Sequence, residues 1–471
     1  MRVSLTMIVR NEEASLPACL GGAADLVDEI VIVDTGSTDR TREIAARFGA
    51  RVIDFAWIDD FAAARNAGLD QATGEWIWWL DADDRLDDAN RAKLRQLFAQ
   101  LPDDNSAYLM KVLSASGPVG GSRMVFDQIR LFRNHPAIRW QNRIHEVVRP
   151  SIVRLGGRIH PTDIVIEHTG YEDAATHQRK LQRNLDLLLR QLADQPDDPH
   201  TLFLIGRSYA GMDRGEEALP WLERALARAA AGANYLPKLY GLLAGCLERL
   251  GRLRQAWAVC AEGRRRFPAD PELQYEEGIL CMQLGDYGRA EADFVGLLRG
   301  LPPGENSVGV DVGIFGYKTR FNLGLVYLAQ NRLIEAEQQW RAAVAERPDF
   351  LAAWDALGDV WLALGRFADV EQFLARLDAD PARRLDAAVL RARMLGTCGH
   401  FVAARQVLQG IISQAPTHLP ARVALAQVLL QENRDRPAII AALQAVLALE
   451  PNHFQARQCL ARYLPREGPP A

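Results

Sequence analysis

Residues 75–88 read EWIWWLDADDRLDD. A tryptophan-rich apolar segment runs straight into Asp81, Asp83, Asp84, Asp87 and Asp88. Carboxylates this close repel one another unless a cation joins them, and a divalent metal carrying a phosphorylated ligand suits such a cluster. The segment 75–80 therefore predicts a buried strand that ends at a site. Alternation puts Trp76 and Trp78 on one face and Trp79 on the other, as core packing on a sheet covered from both sides requires. Working outward, residues 2–9 (RVSLTMIV), 29–33 (EIVIV) and 51–55 predict further strands. Between them 13–26, 38–48 and 60–69 carry helical apolar spacing. Strands separated by helices imply parallel crossovers and a doubly wound sheet, whose ligands lie beyond the C-terminal strand ends. The polar clusters fall there: Asn11–Glu12–Glu13, Asp34–Thr35–Gly36–Ser37 and Asp81–Ala82–Asp83.

The chain has 471 residues, enough for two or three domains. Apolar residues make up 48%, so sizeable cores are expected, and a net charge of −5 argues against nucleic acid or anionic membrane as the main partner. No apolar run reaches the length of a membrane span, and MRVSLTMIVRNEE does not read as a signal peptide. Six cysteines, at 19, 246, 260, 281, 398 and 459, form no C-x-x-C pair. Reduced thiols in a cytoplasmic protein without a zinc site are expected.

From residue 196 the pattern becomes helical throughout. Small residues recur in phase at Ala218, Ala256, Ala290, Ala336, Val370, Ala404 and Ala438. A second series precedes each: Gly206, Ala244, Gly278, Gly324, Gly358, Ala392 and Ala426. Pro268, Pro302, Pro348 and Pro416 follow at constant offset. This resembles the tetratricopeptide repeat, in which small residues let paired helices approach closely and proline ends the second helix. About seven repeats over 196–465 are expected, with an inserted loop near 302–316 and a connecting helix over 172–195 carrying Leu181, Leu185, Leu188, Leu189 and Leu192 on one face. Such arrays bind an extended peptide or a partner protein, or else serve only solubility or self-association.

Chemistry-bearing residues concentrate before residue 171. Asp34 ends a strand, where a carboxylate can accept hydrogen bonds from a base or ribose; an ordinary strand–turn–helix joint gives the same sequence. In Asp81–Ala82–Asp83, alternation puts both carboxylates on one side, and a hard cation such as Mn²⁺ or Mg²⁺ takes oxygen ligands. Asp84, Asp87 and Asp88 read as solvated or helix-capping. Arg123, Arg130 and Arg133 are candidates for a diphosphate or for local carboxylates. SGPVGG at 116–121 reads as a loop over the donor or a hairpin turn.

MIVRNEE, IVIVDTGSTDRT, DFAAARNAGLDQATGEWIWWLDADD and NRIHEVV together resemble an inverting family-2 glycosyltransferase of the GT-A fold. The resemblance covers roughly residues 2–170. A GT-A domain followed by tetratricopeptide repeats is similar to bacterial enzymes that glycosylate bacteriocin peptides, and to enzymes of the lipopolysaccharide core. It implies an α/β GT-A domain (a Rossmann-like, mostly parallel sheet) over 1–171 and an all-α repeat superhelix after it. By resemblance, Asp34 holds the uracil or ribose of a UDP-sugar, Asp60 lies near the base, and Arg65 and Asn66 shape the nucleotide pocket. Asp81, with Ala82, contacts ribose or metal, and Asp83 ligates Mn²⁺ or Mg²⁺ at the diphosphate. His168 is a further metal ligand. His145 and Glu146, in NRIHE, lie on the acceptor side, with Glu146 as the base; the family's usual Glu-Asp pair is His-Glu here.

The leading expectation is transfer of a hexose or N-acetylhexosamine to a peptide or protein held by the repeats, with a homodimer through the repeats conceivable. A lipopolysaccharide or other glycan acceptor is the alternative. An inactive repeat scaffold and a nucleotidyltransferase are weaker readings, the latter for want of a glycine- and lysine-rich phosphate loop.

Overall fold

A computed structural model describes residues 1–116, 122–170, 174–300, 309–451 and 453–463. The SGPVGG segment past Ser116, Tyr171, the start of the connecting segment at 172–173, Pro302 and the end of the repeat region at 464–465 lie outside the described residues. Two compact units are present, Met1–Asp349 and Phe350–Ala471.

The first unit opens with β1 (Val3–Val9), α1 (Leu16–Ala23), β2 (Glu29–Asp34), α2 (Thr41–Arg47), β3 (Arg51–Asp54), α3 (Phe61–Leu69) and β4 (Trp76–Trp79). These match the sequence expectation element by element. β1 pairs in parallel with β2 and β4, and β2 with β3, giving the order 3-2-1-4. The sheet then changes character. β5 (Asp84–Arg85), α4 (Asp88–Ala99), β6 (Ala107–Ser116), β7 (Ser122–Arg133), α5 (Arg149–Arg154) and β8 (Ile159–His168) extend it, in the order β3-β2-β1-β4-β7-β6-β8-β5. β7 runs antiparallel to both β4 and β6, and β5 antiparallel to β8. Trp76 and Trp78 pack on one face with Leu5, Met7, Leu94 and Phe98, whereas Ile77 and Trp79 pack on the other with Leu69, Phe132 and Trp140.

The connecting helix α6 (Ala174–Asp194) packs against α7 (Pro199–Gly211), the first helix of the repeats. Among the described residues, paired helices follow: 215–228 partners α7, then 236–249 with 253–266, 271–284 with 287–299 and 317–329 with 333–346. The second unit holds 351–363 with 367–378, 384–397 with 401–414, and 419–432 with 436–449, then a helix over 454–463. The small residues sit where one helix meets its partner: a Cβ on Gly324 would lie 2.3 Å from Trp340 Nε1. Pro268, Pro348 and Pro416 each fall two residues past the end of a second helix. The inserted loop contributes β9 (Val310–Asp311), which pairs antiparallel with Met124 and Val125 of β7. A repeat insertion thus adds a strand to the N-terminal sheet.

Candidate active site

The site builds from β4. Trp79 is buried, with its indole N–H donated to the Ile129 carbonyl at 2.7 Å. Two guanidinium groups lie over its ring, Arg130 at 3.8 Å and Arg65 at 4.1 Å from the centroid. The bland packing role expected of this tryptophan is therefore incomplete, because Trp79 also orients the two cations that organise the acidic cluster.

Arg130 donates to Asp84 Oδ2 at 2.7 Å, and its other terminal nitrogen lies 3.7 Å from Asp81 Oδ2. Arg65, on α3, donates to Asp81 Oδ1 at 3.1 Å and through Nε to Glu146 Oε1 at 2.6 Å. Burial works against charge on Asp81, but Arg65 and Arg130 outweigh it and hold its pKa below the usual carboxylate range. Glu146 Oε2 makes no protein hydrogen bond among the described residues.

The expectation that Asp84 is solvated or helix-capping is overturned. Its side chain has no exposure. It accepts from the Asp81 amide at 2.8 Å and from Arg130, and it faces His168 Nδ1 at 3.0 Å. The β5–β8 register places Asp84 opposite His168. Asp87 does cap a helix, accepting from the Asn90 amide at the start of α4.

Asp83 lies beside the same imidazole, its Oδ1 3.3 Å from His168 Nδ1. A Cβ on Gly170 would fall 2.9 Å from Asp83 Oδ2 and 3.3 Å from His168 Nε2, so these two atoms border one space. Burial raises the Asp83 pKa; His168 opposes the shift, while Asp81 and Asp84 add to it. Burial lowers that of His168, but the hydrogen bond to Asp84 and the surrounding carboxylates win and raise it. An excess of negative charge with oxygen and imidazole donors fits a hard or borderline divalent cation. Among the described residues, one ligand atom each from Asp81, Asp84 and His168 also lie within 4.8 Å of one another. Asp84 spends its oxygens on Asp81, Arg130 and His168, which is how an outer carboxylate orients a ligating histidine. Asp83 Oδ2 and His168 Nε2 are the donor atoms that face the space beside Gly170.

The remaining expected residues are committed to structure. Asp34 is buried and accepts from the Ser37 amide through both oxygens, at 3.2 and 3.1 Å, closing a turn in which Gly36 takes a φ of 99°. Asp60 caps α3 through the Ala63 amide. Asn66 clamps Trp140, donating to its carbonyl at 3.0 Å and accepting from its amide at 2.9 Å. Ala82 is buried and offers its carbonyl to Arg85. His145 does not join the acidic cluster: its Nε2 lies 3.2 Å from Arg207 Nη2 on α7. Desolvation, Arg207 and His200 lower its pKa to about 3, so the ring is neutral. Of the candidate phosphate arginines, Arg130 serves the acid cluster and Arg133 pairs with Asp103 at 2.7 Å. The Arg123 side chain lies outside the described residues.

Sequence reasoning missed Asp84, and it missed that Arg65 joins Asp81 to Glu146. Adjacency within Asp81–Ala82–Asp83–Asp84 was the available signal for Asp84. None existed for the ion pairs, whose members are 16 and 81 residues apart.

A 3-2-1-4 parallel half-sheet that ends in an Asp-x-Asp pair, continued by an antiparallel half, is the architecture expected of a GT-A type domain. Residues 4–140 match Glycosyl transferase family 2, and the N-terminal domain belongs to that family, with tetratricopeptide repeats C-terminal to it. A TPR repeat-containing protein of Synechococcus elongatus is 39% identical over 233 residues, 48% of this chain and 56% of that protein. The SPbeta prophage-derived glycosyltransferase SunS of Bacillus subtilis is 27% identical over 232 residues, 48% of this chain and 53% of that protein. The chain spans about half the length of these curated relatives. It is also similar to a tetratricopeptide repeat protein from Parabacteroides merdae, with TM-score 0.46 and 14% identity over 56% of this chain and 98% of that one. No helix among the described residues is long and apolar enough to cross a membrane.

Proposed function

We propose that the chain transfers a hexose or N-acetylhexosamine from a UDP-sugar, with inversion, to a side chain of a peptide or protein recruited by the repeats. The observation that carries this reading is the Arg65 bridge, which ties Glu146 to Asp81 beside Asp83 and His168. Inverting transfer needs an acceptor base and a stabilised leaving diphosphate at opposite ends of one displacement. Glu146 is the base. Arg65 holds Oε1 at 2.6 Å, and Oε2 remains available to take the acceptor proton. Asp83 and His168 would hold Mn²⁺ or Mg²⁺, with Asp81 and Asp84 behind them. When bound, the ion supplies Lewis-acid stabilisation of the leaving diphosphate. The turn after Asp34 and the N-terminus of α3 border the nucleotide. Asp34 and Asp60 shape that backbone, through the Ser37 and Ala63 amides.

SunS is a glycosyltransferase by name, and the helix pairs here offer a surface of the kind that binds extended peptides. The test incubates the full chain, Mn²⁺ and each UDP-sugar with a peptide library, read by mass spectrometry. A sugar-sized mass increase on a peptide, lost in Glu146→Gln, is expected. Transfer to a lipopolysaccharide-core oligosaccharide alone would replace the acceptor class. No transfer and no donor turnover would overturn the reading.

A further inference from the structure

Glu146 sits at the end of a tight loop whose ends are pinned together: Gln141 and Val147 exchange both backbone hydrogen bonds, each 3.0 Å. Within the loop, Asn142 and His145 take left-handed φ values of 75° and 51°. Neither is glycine, so surrounding contacts must hold this conformation.

Those contacts come from two directions. From the catalytic sheet, the Phe61 amide at the start of α3 donates to the Arg143 carbonyl at 2.8 Å, and Arg65, on the same helix, holds Glu146. The others come from α6 and α7. The Arg143 amide donates to Gln191 Oε1 at 3.1 Å. Gln191, only 6% exposed, donates from its own amide to Thr201 Oγ1 at 2.8 Å. Thr201 is fully buried and donates to Asp198, the residue that caps α7. The Arg143 guanidinium pairs with Asp194. Ile144, 4% exposed, is part of the hydrophobic core formed by Leu185 and Leu188 of α6 and Leu202 and Ile205 of α7. His145 meets Arg207. The contacts close a ring, from α3 through Arg65, Glu146 and the loop to α7, then back through Thr201, Gln191 and Arg143 to α3.

We infer that the first helices beyond the sheet, α6 and α7, are part of the catalytic apparatus, and that Gln191 is a positioning residue for the acceptor base Glu146. This inference rests on the proposed role of Glu146. Gln191 touches no reacting atom; it fixes the backbone of Arg143, three residues before the carboxylate. Displacing a reacting group by about 1 Å can cost about 100-fold in rate. Gln191→Met keeps the volume and removes both hydrogen bonds.

The experiment uses the full chain and the UDP-sugar that wild type hydrolyses fastest with Mn²⁺, with water as acceptor. Gln191→Met is expected to lower kcat by about 10- to 100-fold, with KM for the donor changed less than threefold, and to shift the acid limb of the kcat–pH profile. Calorimetric binding of UDP with Mn²⁺ stays at the wild-type value. Deuterium exchange of the 141–147 amides rises in the variant. Wild-type kcat and pH profile in Gln191→Met would overturn the inference. So would parallel loss of UDP binding, which marks a general folding defect. A wild-type protein that turns over no donor, or a Glu146→Gln variant as active as wild type, instead overturns the functional reading on which the inference rests.

Discussion

Arg65 serves two carboxylates from a position only 8% exposed, and among the described residues neither Asp81 nor Glu146 has another cation so close. A lysine has one point charge and cannot reproduce a fork that reaches both. Arg65→Met should lower stability by about 3–5 kcal/mol, since it leaves two carboxylates facing each other in a desolvated site. Thermal unfolding checks this, and Arg65→Lys should recover only part of the loss. His145 sets a pH dependence of its own. Its folded pKa is depressed to about 3 from a reference of 6.5, so between those values the unfolded chain binds the extra proton. The contribution is fully present above about 6.5 and is lost as pH falls, by at most about 1.4 kcal/mol per pH unit. Denaturant midpoints between pH 7 and pH 4 should therefore fall less steeply in His145→Asn than in wild type.

At the scale of elements, the strands legible in the sequence are those of the parallel half, each set off by helices. Residues 2–9, 29–33 and 75–80 are continuous apolar runs between helices, and parallel burial on both faces leaves such runs. The antiparallel half was not legible. β7 pairs with its neighbour β6 and also with β4 and β9, which come from distant parts of the chain, and Asp84 looked solvent-facing because its partners Arg130 and His168 come from β7 and the end of β8. Glu146 and His145 were adjacent in the sequence reading but separate in space, since the left-handed turn at His145 is set by α6 and α7. The junction between β8 and the metal candidates offers a sharp check. Gly170→Ala places a methyl group against Asp83 Oδ2 and His168 Nε2, and Mn²⁺-dependent UDP binding should weaken by at least tenfold in calorimetry, with the melting temperature little changed. In the repeats, Gly324→Ala forces a Cβ onto the Trp340 indole, and an overpacking cost of about 1–3 kcal/mol is expected in the unfolding of the first unit.

Across the molecule, the sequence pattern changes near residue 196, yet the first compact unit runs to Asp349. The reason is contact: Ile144 enters the α6–α7 core, and β9 of the repeat insertion pairs with β7. The N-terminal sheet and early repeats therefore share hydrogen bonds and apolar burial, which a reading by periodicity alone divides at the composition boundary. Ile144→Ala, at that shared core, should cost about 2–5 kcal/mol in global unfolding of the first unit. The central claim is that Asp83, His168 and Glu146 form one metal-assisted transfer site. UDP release from a panel of UDP-sugars tests it most directly, for wild type and Asp83→Ala, with Mn²⁺ and with chelator. Release from one donor, dependent on Mn²⁺ and abolished by chelator and by Asp83→Ala, is expected. Release that survives both chelator and Asp83→Ala, or wild type that neither releases UDP nor binds it with Mn²⁺, would contradict it.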